Sequence, residues 1–274
     1  MKPAVQVSEA YRRAFWLYRF FWGGGHSFHY GYWNENTRTL KQALQQFRVY
    51  LAEKADIRPE QVVLDLGCGT GGLAVFLAKH YQCRVTGLDL GRKNLERAQK
   101  YSRQQGQIVA WVPGDYHQLP FPDQYFDQIW AIETFFHSPN LTLALQEAAR
   151  CLKPGGRLLV ADYLASAPIE TPEDVQLLQR WCHGYHMPRL RSLQHVEQAL
   201  HRADLQLIGF TDISTHVAPS VARLYHLAQG AYQLGRLFHG YFPLFTSLSA
   251  LVAQYQLFRK KQWQYAVYSA QKPT

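Results

Sequence analysis

Val63-Leu64-Asp65-Leu66-Gly67-Cys68-Gly69-Thr70-Gly71-Gly72 is the stretch on which the fold turns. Apolar residues on both sides of Asp65 read as a buried strand, which runs straight into a glycine turn and then into the helix-forming segment Leu73-Ala74-Val75-Phe76-Leu77. A turn so rich in glycine lets a ligand approach the backbone closely. Outward from this unit, strand-like and helix-like segments alternate. The pattern predicts strands at 61–66, 83–88, 108–112, 125–131, 156–162, 205–213 and 262–270. Helices are expected at 71–80, 91–105, 140–152, 172–182 and 192–203. Lys153-Pro154-Gly155-Gly156 stops the helix before the fifth strand, because proline cannot continue it. The order implies an α/β fold: a doubly wound, seven-stranded, mostly parallel sheet of Rossmann-like type.

Two regions lie outside this alternation. Residues 1–57 read as an N-terminal helical lid, with helices over 8–22 and 37–54 separated by Gly23-Gly24-Gly25, a hinge. Residues 58–165 form the cofactor-binding core and 166–274 a substrate-side half of the same single domain. Within that half, 217–261 is a helical cap inserted before the last strand. Its Leu224, Leu227, Ala231, Leu234 and Phe238 recur at three- and four-residue steps and share one helix face, and Phe242 to Leu251 continue the apolar character into a second helix.

The chain has 274 residues with 47% hydrophobic content, enough for one full core. Lys and Arg number 29 against 20 Asp and Glu, a formal charge of +9. No acidic residue follows Asp212, whereas Arg223, Arg236, Arg259, Lys260, Lys261 and Lys272 do. The basic, greasy insertion therefore either packs on the fold or touches a membrane surface peripherally. The longest nearly apolar run, Tyr241 to Ala253, is shorter than the ~20 residues a bilayer crossing requires. Cys68, Cys83, Cys151 and Cys182 have neither disulfide nor zinc spacing, and the start lacks a signal-peptide core, so the reading is cytoplasmic with no metal.

The chemistry of the turn comes from its carboxylates. Gly67, Gly69 and Gly72 satisfy the dinucleotide spacing, so glycines alone leave a nicotinamide enzyme open. Asp65 argues against it, since a carboxylate there would face a pyrophosphate; a cofactor bearing an ammonium and a sulfonium would be attracted instead. Asp89, followed by Leu90 at the end of the second strand, is placed to accept ribose hydroxyls. Asp115, beside Tyr116 after the third strand, is placed to accept from an adenine amino group.

Asp65-Leu66-Gly67-Cys68-Gly69-Thr70-Gly71, Gly114-Asp115 and Leu152-Lys153-Pro154-Gly155-Gly156-Arg157-Leu158 resemble the successive motifs of class I methyltransferases. The resemblance covers about 60–165 and implies S-adenosyl-L-methionine as cofactor, S-adenosylhomocysteine as product, and Gly67, Gly69 and Gly71 along the methionine part, next to Cys68. A narrower similarity runs through Trp22 to Trp33, Ile132 to Pro139, Cys182 to Pro188, His216 to Pro219 and Arg259-Lys260-Lys261. These look like the γ-tocopherol and sterol C-methyltransferases, although Phe135-Phe136 departs from the small residues of the sterol branch. The similarity implies a small lipophilic acceptor, such as a prenylated quinol, a phenol or a related ring compound.

Alignment of nucleophile, methyl and sulfur in a dry site is the main demand of such a transfer. Tyr30, Tyr32 and Trp33 offer π faces for the cation, with Tyr30 assigned to the cofactor and Trp33 to the acceptor. Glu133 and His137, just after the fourth strand, are the catalytic candidates, His137 first as base. His29, His183 and His186 are candidates for the acceptor pocket. Phospholipid or amine N-methylation and cyclopropane-type chemistry on acyl chains stay open as alternatives. No nucleic-acid partner is expected, because the basic residues sit within greasy helices.

Overall fold

The computed structural model describes Trp22, residues 26–237 and residues 245–274. The helix expected at 8–22, the glycine hinge and Phe238 to Leu244 lie outside the described residues, apart from Trp22.

Helix α1 (Leu40–Ala55) starts at a reciprocal cap. Thr39 Oγ1 accepts from the Gln42 amide at 3.2 Å, and Gln42 Oε1 accepts from the Thr39 amide at 3.0 Å. It buries Ala43, Leu44, Phe47, Leu51, Ala52 and Ala55 along one face. Strand β1 (Val62–Leu66) leads through the glycine turn into α2 (Gly72–Tyr81), and β2 (Arg84–Asp89) into α3 (Arg92–Gln104). Then follow β3 (Ala110–Pro113), β4 (Phe126–Ile132), a 3₁₀ turn at Phe135–His137, α4 (Leu141–Cys151) and β5 (Leu152–Ala165). The last third holds α5 (Pro172–Gly184), β6 (Arg191–Ser192), α6 (Leu193–His201), β7 (Gln206–Asp212), α7 (Ser214–Leu237), α8 (Phe245–Arg259) and β8 (Trp263–Gln271).

The strands run in the order β3-β2-β1-β4-β5-β8-β7, with β6 paired to the end of β5. β1 pairs in parallel with both β2 and β4. β8 is antiparallel to β5 and β7, as its entry from a helical insertion permits. The seven expected strands are all present, and β6 is an eighth, a two-residue strand too short to leave a periodic signal. One sheet face carries α1, α2, α5 and the insertion through Phe47, Leu77, Trp181, Val217 and Leu257; the other carries α4 and α6 through Leu145, Ala148, Val196 and Leu200. Because the chain leaves β1 toward β2 and β3 and later returns through β4 and β5 on the other side, a crevice opens beyond the C-terminal ends of β1 and β4.

In α7 the expected stripe is met at Leu224 and departs at Leu227, while the side chains of Ala231, Leu234 and Phe238 lie outside the described ones. Val217, Val221 and Ala228 are buried and Leu224 packs against the core that holds Val217 and Val221, whereas Leu227 is 43% exposed. The period is as read but the register is offset by one residue beyond Leu224, because docking against β8 and α8 selects the face.

Candidate active site

The crevice holds a cavity of about 330 Å³ walled by the glycine turn, the ends of β1, β2 and β4, the loop after β3, and residues 26–29. The turn is built for close approach. Gly67 adopts φ +68°, and a Cβ on it would fall 2.6 Å from Thr134 Oγ1. The backbone carbonyl of His26 lies so close to Gly72 that a Cβ there would sit 1.7 Å from it. The N-terminal segment thus crosses directly over the start of α2.

Four carboxylates stand on the wall, and three of them, Asp65, Asp89 and Asp115, belong to the ends of β1 and β2 and the loop after β3. Asp65 is 3% exposed, and its Oδ2 has no hydrogen-bond partner. Burial, and secondly the charge of Asp89, push its pKa up to about 8. A buried carboxylate with one oxygen left unpartnered is the feature an ammonium group would complete. Asp89 accepts from the Gly69 amide at 2.9 Å through Oδ2, and from the Gly91 amide at 2.7 Å and Asn94 Nδ2 at 3.3 Å through Oδ1. Burial raises its pKa while these donors oppose the rise. Asp115 Oδ1 accepts from the backbone amide and from the Nδ1 of His117, at 2.9 and 2.7 Å. The His117 Nε2 lies 2.8 Å from Ser138 Oγ, so the loop after β3 is tied to the loop after β4.

Glu133 occupies a left-handed backbone position, φ 47°, immediately after β4. Its carboxylate accepts from the Tyr30 amide at 2.9 Å, from Tyr265 Oη at 2.8 Å and from Tyr163 Oη at 2.8 Å. Enclosure pushes its pKa up to about 7, with the three donors pulling the other way. His137 ends the 3₁₀ turn and is held neutral by burial, its pKa lowered to about 3. Glu133 and His137 share the cavity wall, but not by a common helix face: the left-handed turn at Glu133 breaks any helix between them. Arg191 pins this loop by donating to the carbonyls of Phe135 and Ser138.

Of the residues expected at the site, Asp65, Gly67, Cys68, Gly69, Asp89, Leu90, Asp115, Tyr116, Glu133, His137 and His29 line the cavity. Gly71, Tyr30, Trp33, His183 and His186 are not part of its wall. Gly71 packs against Trp111 instead, where a Cβ would fall 2.5 Å from the indole. Tyr30 is 2% exposed, turned inward to give its hydroxyl to Gln254 and to pack on Tyr163 and Tyr265. Trp33 donates its indole N–H to Ser220 on α7, and Tyr32 stacks between Tyr50 and His216. The aromatic run after the hinge is therefore docking surface, and no π face of Tyr30, Tyr32 or Trp33 is offered to a cation in the cavity. His183 is exposed at the end of α5, and His186 reaches the site only through its carbonyl, 3.5 Å from His137 Nδ1.

Sequence reading overlooked His26, Phe28, Asn94, His117 and Thr134 on the wall, and Arg48 behind it. Arg48 is half-buried, donates to Ser27 Oγ and lies beside Gly72. The one sequence signal for it is a cation adjoining the buried Phe47 in the apolar stripe of α1.

Comparison with known proteins agrees with this fold. A methyltransferase domain family matches residues 64–160. The 27-O-demethylrifamycin SV methyltransferase of Amycolatopsis mediterranei is 32% identical over 72% of this chain and 72% of its own. Sterol 24-C-methyltransferase of Pneumocystis carinii is 31% identical over 72% of this chain and 53% of its own length. Among solved structures, the 4+2 cyclase SpnF superposes with a TM-score of 0.81 at 25% identity, covering 99% of this chain and 96% of that one.

Proposed function

Since the chain belongs to the S-adenosylmethionine-dependent methyltransferases that act on small molecules, we propose that its acceptor is a lipophilic ring compound, such as a prenylated quinol or a phenol, methylated at oxygen or carbon. The observation that carries this reading is the acceptor side of the cavity, where Phe28, Ile132 and Pro139 supply apolar wall and Glu133, His29 and His137 supply acceptors but no cation. When bound, the cofactor presents a methyl group on positively charged sulfur to an aligned nucleophile.

The residues divide the work by environment. Asp65 takes the ammonium, Asp89 the ribose hydroxyls, and residues 26–29 close the start of α2 against water. Of the two catalytic candidates, His137 is neutral throughout the physiological range, so it accepts a hydrogen bond and orients a hydroxyl more readily than it keeps a proton. Glu133, with a pKa near 7, is the group matched to hold the proton that a hydroxyl or ring carbon loses.

The test is turnover of prenylated quinols and phenols with a labelled methyl donor. Glu133→Gln is expected to lower kcat by about 10²-fold or more and to abolish the rise in rate expected as pH passes upward through about 7. His137→Ala is expected to slow turnover with cofactor affinity unchanged. Full activity of both variants on an amine would instead favour N-methylation, in which the neutral amine attacks through its own lone pair and needs no such base; cyclopropane-type chemistry on an acyl chain must pass a proton from the transferred methyl to a base and would be slowed by the same variants.

A further inference from the structure

We propose that His117 is a positioning residue that fixes the Asp115 carboxylate for recognition of the purine 6-amino group, and so decides which purine the cofactor site accepts. The inference rests on the assignment of the adenine end of the cofactor to Asp115. Asp115, Tyr116 and His117 all line the cavity, on the loop that follows β3.

The hydrogen bonds determine which nitrogen of His117 carries the proton. An ionised carboxylate only accepts, so the 2.7 Å contact between Nδ1 and Asp115 Oδ1 is a donation from Nδ1–H. In the neutral ring Nε2 then bears the lone pair and accepts from the Ser138 hydroxyl at 2.8 Å. Ser138 is itself immobilised: it is 0% exposed, its amide donates to the Phe135 carbonyl at 2.9 Å, and its own carbonyl accepts from Arg191. The imidazole cannot rotate without breaking both of its ring contacts.

Asp115 is oriented in consequence. Two donors from His117, the backbone amide at 2.9 Å and the ring Nδ1–H, converge on Oδ1 and leave Oδ2 as the acceptor for a ligand. A 6-amino purine presents an N–H to that oxygen. A 6-oxo purine presents a second oxygen, leaving the carboxylate facing an acceptor, which is the arrangement a polar site rejects most strongly. Ser138 lies 21 residues from His117, so the purine wall and the loop that carries His137 are held in one register by this ring.

The experiment is calorimetric titration of the full-length protein with S-adenosylhomocysteine and with its 6-oxo analogue, S-inosylhomocysteine. The wild type is expected to prefer the amino form by about tenfold or more, the worth of one hydrogen bond to a charged group. His117→Gln places an amide near Nε2, retaining the Ser138 contact and losing the Asp115 contact, and should bring the preference to within about threefold. His117→Asn places an amide near Nδ1 and should rescue most of it. A purely structural role for His117 would weaken both ligands alike and leave their ratio intact, so an unchanged ratio in His117→Gln overturns the proposal. If that variant does not fold by circular dichroism, Ser138→Ala decides, with a several-fold loss of preference expected and an unchanged preference overturning it. A wild type that binds the amino form without discriminating refutes His117 positioning alone. A wild type that binds neither ligand refutes the cofactor assignment beneath it.

Discussion

Asp89 shows how one side chain both builds and uses the site. Its two oxygens receive the amides of Gly69 and Gly91 and the side chain of Asn94, which fixes the glycine turn before any ligand arrives. Replacement by alanine removes an acceptor for the ribose and also releases the Gly69 amide. Asp89→Ala is therefore expected to weaken S-adenosylhomocysteine by about tenfold to a hundredfold, from the 1.5–3 kcal/mol of a hydrogen bond to a charged group. Unchanged affinity in a calorimetric titration would remove the ribose assignment. Asp65, Asp89 and Asp115 were legible as sequence because each sits at or just past the end of a recognisable strand, and a strand end in this fold points at the crevice. His117 and Arg48 were not, because their meaning lies in partners 21 residues away, Ser138 and Ser27, with no periodic pattern linking them.

At the scale of elements, the segment 26–33 acts as a strap. The Tyr32 amide donates to the Ala43 carbonyl, the Trp33 amide to that of His216, and the Gly31 amide and Trp33 indole both to Ser220 Oγ. Ser220 is 0% exposed, so these bonds form out of reach of water. Ser220→Ala strands two donors and is expected to cost about 1–3 kcal/mol each at most. The loss would be seen as a lowered thermal midpoint and faster hydrogen exchange at Gly31. An unshifted midpoint would mean that the strap is held by its backbone bonds alone. The aromatic residues of this segment suggested a cation-binding wall by their composition, yet composition does not say which way a ring points. Tyr30, Tyr32 and Trp33 turn toward α7, α8 and β8 because those elements offer apolar surface and hydroxyl partners, and residues 26–29 meet the cavity instead.

Across the whole molecule, the site gathers enclosed ionisable groups whose protonation couples to folding. Burial raises Asp65 to about 8, Asp162 to about 8 and Glu133 to about 7, so the folded state retains protons that the unfolded chain releases. Their contribution to stability is present at low pH and is lost as pH rises toward 8. His29 and His137 act in the opposite sense, both lowered to about 3, so their contribution grows as pH rises from 3 and is complete by about 6.5, the usual imidazole value. Above that point only the acids remain in play. The thermal midpoint of the ligand-free protein is accordingly expected to fall between pH 6.5 and 8. S-adenosylhomocysteine should blunt the fall, because its ammonium favours ionised Asp65. A midpoint that rises over this interval would show that these carboxylates are already ionised at neutral pH. Among the described residues no helix is long and apolar enough to cross a membrane. Lys260, in the basic run of the insertion, is engaged by Asp174 on α5.

The alternation of strand and helix, the glycine turn and the acidic strand ends were determined by the sequence alone, because each is a local property: a period, a missing side chain, or a carboxylate at a fixed offset from an apolar run. The tertiary structure decided the rest. It chose which stripe of α7 is buried, turned Tyr30 and Trp33 away from the cavity, brought Glu133 under three donors, and set His117 between Asp115 and Ser138. These outcomes depend on contacts between elements far apart in the chain, where packing selects a face and enclosure sets a charge, and no periodicity within a segment encodes either.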